Sequence, residues 1–154
     1  MATFVGCGRR GCHAPGTRSP RRPSAVADYL LDTNVLILHL RERPEITALL
    51  TRWGVEGALC ISVATRTEIL AGMHPHEEER TMALLDSLVN LPVDEAIADR
   101  AGRLIYQYAR QGIQLSFADA LIAATALHHD LTLATTNSKH FPMPELHLYP
   151  LDVK

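Results

Sequence analysis

From Tyr29 onward, short apolar runs alternate with longer segments of helical period, and that alternation constrains the fold more than any other feature of the chain. Residues 29–31 read as a strand that ends at Asp32, with a helix over 34–40 behind it. Pro44 opens a helix through Trp53, closed by Gly54 and Gly57. Residues 59–61 form a second strand, and Ser62 is placed to cap a helix to Ala71, just before Gly72. The spacing predicts a helix over 77–89, its acids first as the helix dipole prefers, and a crossing segment at Leu91-Pro92-Val93. Residues 94–111 repeat apolar side chains at Ala98, Ala101, Leu104, Ile105 and Tyr108 and stop at Gly112. Ser116 caps a helix over 117–129, and strands follow at 131–134 and 146–148. Strands separated by helices imply an α/β fold, a mainly parallel sheet with helices on both faces.

One domain is expected from 154 residues, and a chain of this size buries a core without staples. Aromatics make up 5%, so that core rests on Leu, Ile, Val and Ala. No apolar run approaches the roughly 18 residues that span a membrane, which argues for no membrane association. Cys7, Cys12 and Cys60 are too few, and odd in number, for a disulfide framework, so a cytoplasmic setting is expected.

The net charge of −2 conceals an asymmetry. Residues 1–27 carry five arginines and no acid, leaving ten basic and seventeen acidic side chains in 28–154. An acidic body argues against nucleic acid held mainly by a broad basic face, and it suits a compact site that recruits cations. Residues 1–27 are rich in Gly, Pro, Arg and Ser without apolar period, so they read as a disordered leader. A mis-assigned start, with the true one near Val26, accounts for them better than a transit peptide, a basic RNA-touching arm, or a zinc site from Cys7, Cys12 and His13.

Four polar residues sit at the edges of apolar elements. Asp32 follows the first strand, Glu68 lies in the helix after the second, and Asn137 follows the strand 131–134. Asp119 interrupts a helix apolar almost all round, which predicts burial. Ligands of parallel α/β sheets bind beyond the carboxyl ends of the strands, where Asp32 and Asn137 stand. Each has a plainer reading taken alone: a helix cap for Asp32, a solvated face for Glu68, a turn for Asn137. Asp119 has no Lys or Arg within a turn, and a buried carboxylate costs several kcal/mol unless compensated. Clustered carboxylates ionise together only beside a cation, and all-oxygen donors select Mg²⁺ or Mn²⁺ over zinc. Position and composition lead that far, to an acidic metal site.

Three segments carry a resemblance. Leu31-Asp32-Thr33-Asn34-Val35-Leu36, Ile61-Ser62-Val63-Ala64-Thr65-Arg66-Thr67-Glu68-Ile69 and Phe117-Ala118-Asp119-Ala120-Leu121-Ile122-Ala123-Ala124-Thr125-Ala126 resemble the PIN domain, in the manner of VapC-type toxins of bacterial type II toxin–antitoxin pairs. Leu133-Ala134-Thr135-Thr136-Asn137-Ser138-Lys139-His140-Phe141 closes the set. The resemblance implies a three-layer PIN-like nuclease domain over residues 28–154 and a Mg²⁺- or Mn²⁺-dependent endoribonuclease. Asp32, Glu68 and Asp119 would be its catalytic metal ligands, with Thr33, Asn34 and Thr135 shaping the surrounding shell. It implies a homodimer and a cognate antitoxin that blocks the pocket. Asn137 stands where many members carry a fourth acid; an amide oxygen still ligates, but the lost charge favours one tightly held metal. A catalytically weakened PIN-like module that binds RNA or a partner is the alternative. A phosphate-accepting receiver domain is disfavoured, because only Asp28 lies near Asp32. His74, His76, His128 and His129 read as loop or cap residues, Arg66, Arg100, Arg103 and Arg110 as solvated, and Trp53 and Tyr106 as packing residues at the domain core or a dimer face.

Overall fold

The computed structural model describes residues 28–152. The strands β1 (Tyr29–Leu31), β2 (Leu59–Ser62), β3 (Val89–Leu91), β4 (Thr132–Thr135) and β5 (Leu148–Pro150) form one sheet, ordered β3-β2-β1-β4-β5. Every pairing is parallel, the chain crossing back between successive strands. The helices are α1 (Thr33–Leu40), α2 (Pro44–Glu56), α3 (Val63–Gly72), α4 (Glu78–Ser87), α5 (Glu95–Ala109) and α6 (Phe117–His129).

Alternation along the strands divides the core in two. Leu30, Cys60 and Leu133 point to one face, where Ile97, Ala101 and Leu104 of α5 and Ala120, Ile122 and Ala123 of α6 cover them. Their neighbours Leu31, Ile61 and Ala134 point to the other, under Leu36 of α1, Leu50 and Trp53 of α2, Ile69 of α3 and Leu85 of α4. This is the three-layer α/β/α arrangement expected. Trp53 stacks on Tyr29 at 3.9 Å between ring centroids, and Tyr149 meets Trp53 edge-on at 4.9 Å. That cluster ties α2 to β1 and β5.

Several boundaries differ from the sequence expectations; β4 lies one residue later and α5 ends at Ala109. The helix expected over 77–89 ends at Ser87, and Val89–Leu91 is an edge strand rather than part of a helix and a crossing segment. The cause is Asn90, whose amide nitrogen donates to the carbonyls of Leu85 (2.8 Å) and Leu88 (2.9 Å) and so closes the helix. The last strand lies two residues later than expected, because Leu146 is drawn into the core and the ladder to β4 begins at Leu148. The helix α2 continues through Gly54 and stops at Gly57.

Among the described residues, no helix is long and apolar enough to cross a membrane. The leader, the alternative start and the Cys7, Cys12, His13 trio lie outside the described residues.

Candidate active site

The parallel register brings β1, β2 and β4 to one rim, and the first turns of α1, α3 and α6 gather beyond it. Asp32 leaves β1 there, its backbone N–H still donating to Ala134 O at 3.0 Å. It is the N-cap of α1, with Oδ1 accepting from the Thr33 N–H at 2.8 Å. Oδ2 accepts from Thr135 Oγ1 at 2.7 Å. The residue is 4% exposed, so it is both the helix cap and a buried acid.

Burial pushes the Asp32 carboxyl above its ordinary pKa; the hydrogen bonds from Thr135 and Thr33 pull it back, and Asp119 and Glu68 push it up again. No Lys, Arg or His forms an ion pair with it among the described residues.

Glu68 is exposed on α3, and its Oε2 accepts from Thr33 Oγ1. The bond ties α3 to the start of α1. A groove of about 250 Å³ opens beside Glu68, lined by Ile37, Leu40, Ile69 and Met73. Asn34 is exposed on the first turn of α1.

Asp119 lies in the first turn of α6, where its N–H donates to the Ser116 cap at 3.0 Å. Its side chain is 20% exposed, not fully buried. The helix is less enclosed than its composition predicted, because Phe117 in the same turn is 74% exposed. Asp119 Oδ2 lies 3.4 Å from Nδ1 of His140, so a partner beyond the end of α6 and the whole of β4 answers for the missing Lys or Arg.

Asn137 donates its backbone N–H to Thr135 Oγ1 at 3.0 Å, so that hydroxyl links the loop to Asp32. The Asn137 side-chain nitrogen is 2.9 Å from His140 Nε2. His140 is the residue that sequence reasoning missed. Its signal was the three-residue spacing from Asn137, which a 3-10 turn over Ser138–His140 converts into contact. Arg66, read as solvated, instead pairs with Asp86 at 2.9 Å and Asn90 at 3.0 Å.

The donor chemistry fits a divalent cation. A buried carboxylate is opposed by two others, and among the described residues no Lys or Arg pairs with any of the three. The geometry is not a closed cage: Glu68 is engaged by Thr33 and Asp119 by His140. Among the described residues no three His, Cys, Asp or Glu side chains converge as a metal-holding group.

Comparison with known proteins accords with this arrangement. Residues 29–143 match the PIN domain. Ribonuclease VapC10 of Mycobacterium tuberculosis (strain H37Rv) is 41% identical over 116 residues, covering 75% of this chain and 87% of that protein. A toxin–antitoxin complex from Klebsiella pneumoniae contains a chain of the same fold, with TM-score 0.66 and 32% identity, covering 80% of this chain and 99% of that one. VapBC2 from Rickettsia felis, bound to a DNA fragment from its promoter, gives a TM-score of 0.72 at 21% identity over 81% of this chain and 99% of that one. That last likeness concerns the fold. The chain belongs to the PIN domain family, among its VapC members.

Proposed function

We propose that the chain is an endoribonuclease dependent on Mg²⁺ or Mn²⁺ and the toxin of a toxin–antitoxin pair. The observation that carries this reading is Asp32, a buried acid at the rim of a parallel sheet with Asp119 and Glu68 opposing its ionisation. Support also comes from VapC10, which is named a ribonuclease, and from the Klebsiella chain, which is part of a toxin–antitoxin complex.

Asp32, Asp119 and Glu68 would hold the cation, with the Asn137 carbonyl oxygen as a further donor. When bound, such an ion supplies Lewis acidity toward a phosphodiester and the attacking water. The chain's own groups do the rest. Thr33 N–H and Thr135 Oγ1 fix both Asp32 oxygens, so that carboxylate keeps one orientation as RNA arrives. Thr33 Oγ1 holds Glu68 at the mouth of the site. Hydrolysis breaks the bond from phosphorus to the 3′ oxygen, leaving 5′-phosphate and 3′-hydroxyl ends. The antitoxin would cover this rim, and the toxin would act as a homodimer.

The purified full chain, incubated with structured RNAs, is expected to cleave with Mg²⁺ or Mn²⁺ and to stop on chelation or on addition of the antitoxin. Asp119→Asn is expected to lower the rate by about 100-fold or more with melting temperature unchanged or raised, since one of three mutually repelling charges is removed. Retained cleavage in chelator sinks the metal-dependent reading. The second reading, a binding module that does not cut, is favoured by the open arrangement of the acids. It predicts RNA retention without cleavage under every metal condition.

A further inference from the structure

We propose that His140 is a positioning residue for Asp119, oriented by Asn137, so that Asn137 acts through a histidine as well as through its own side-chain oxygen. The inference rests on the cation reading above and concerns how this chain presents its ligands.

The Asn137 side-chain nitrogen faces His140 Nε2 at 2.9 Å. An amide nitrogen only donates, so Nε2 accepts and the ring proton resides on Nδ1. Nδ1 is the atom that faces Asp119 Oδ2, at 3.4 Å, longer than a mature hydrogen bond. A carboxylate with one oxygen held toward the loop has its other oxygen left for the acidic rim. The ring itself is anchored on both sides. Phe141, next in sequence, is 2% exposed in the core, and the Asn137 N–H hangs on Thr135 Oγ1.

Because Thr135 also donates to Asp32, a continuous path joins the two acids: Asp32, Thr135, Asn137, His140, Asp119. A lone exposed His–Asp pair contributes little. This one differs because the imidazole is held at its far nitrogen and the carboxylate is largely buried. Partners that orient a ligating carboxylate from behind typically govern about 10–100-fold in metal affinity. The half-exposed ring and long contact place His140 at the lower end.

The test is calorimetric titration of the folded full chain with Mn²⁺ alone. His140→Ala is expected to weaken binding about tenfold. His140→Asn, whose side-chain nitrogen reaches the place of Nδ1, is expected to stay within about threefold of the parent. His140→Gln keeps bulk but moves its nitrogen toward the place of Nε2, and is expected to bind as weakly as the alanine variant. It also serves if His140→Ala does not fold. Equal affinity in all four proteins overturns the positioning role and leaves the cation reading intact. Asn and Gln variants equally weak would overturn it too, since the donor position would then not matter. Absence of Mn²⁺ binding by the folded parent removes the cation reading, and this inference with it.

Discussion

Asp32 occupies a position where local and tertiary demands conflict. As an N-cap it needs only an oxygen for the Thr33 N–H; as a buried acid it carries a charge that its surroundings oppose. Its pKa lies above the ordinary 3.8, so between those two values the folded chain holds a proton that the unfolded chain has released. The contribution to stability is therefore greatest below the ordinary value, falls as pH rises through the folded pKa, and is a full penalty at neutral pH. In chelator at pH 7, Asp32→Asn is expected to raise the melting temperature by about 2–4 °C, the shift for about 1 kcal/mol in a chain of this size. The gap should close as melts are repeated toward pH 4, because asparagine still caps the helix and the parent carboxyl is then protonated. A gap independent of pH would contradict this origin. At this scale much was legible. Asp32, Glu68 and Asp119 stand out because each breaks an apolar pattern, and the structure sets Asp119 and Glu68 near enough to oppose the charge on Asp32. His140 breaks no pattern, since a polar residue in a polar loop looks like solvent. Its contact with Asp119 joins a loop to a helix that precedes it by a whole strand.

Two helices share a capping geometry and differ in what they carry. Ser116 accepts from the Asp119 N–H at 3.0 Å, and Asp94 accepts from the Ile97 N–H at 2.9 Å. Ser116→Ala and Asp94→Ala are each expected to cost about 1 kcal/mol in urea unfolding. Cleavage should fall severalfold only for Ser116→Ala, because α6 presents Asp119 whereas α5 presents packing residues. Equal effects on cleavage would mean that overall stability, not the placement of Asp119, sets the rate. Caps and periods were readable because they are local: Ser62 and Ser116 both accept from the first turn of the helix they precede, whereas Asp94, read as the first residue of its helix, is its cap. The end of α4 was not. Leu88 and Val89 continue an apolar pattern, and what turns the chain is a side-chain amide from Asn90 together with pairing to β2. The start of β5 was hidden for the same reason, since its register is set by β4 rather than by its own sequence.

Both hydrophobic layers draw on the same three central strands, through alternate residues, so neither layer has a sheet of its own to keep if the other melts. One cooperative transition is expected. Trp53 is the only tryptophan of the chain and is 2% exposed against Tyr29, which makes its emission a reporter of the α2 face. Its denaturation midpoint should coincide with that of far-ultraviolet circular dichroism, to which α5 and α6 on the opposite face contribute strongly. Separated midpoints would reveal two foldable layers. The rims of the sheet carry a different consequence. Each outer strand has three residues, and proline sits at both: Pro150 within β5 and Pro92 directly after β3. Such short, proline-terminated rims give an incoming strand almost no ladder to extend. Among the described residues, strand addition at either rim is thereby disfavoured, and the large exposed aromatic side chains lie on helices instead, Tyr106 of α5 at 65% and Phe117 of α6 at 74%.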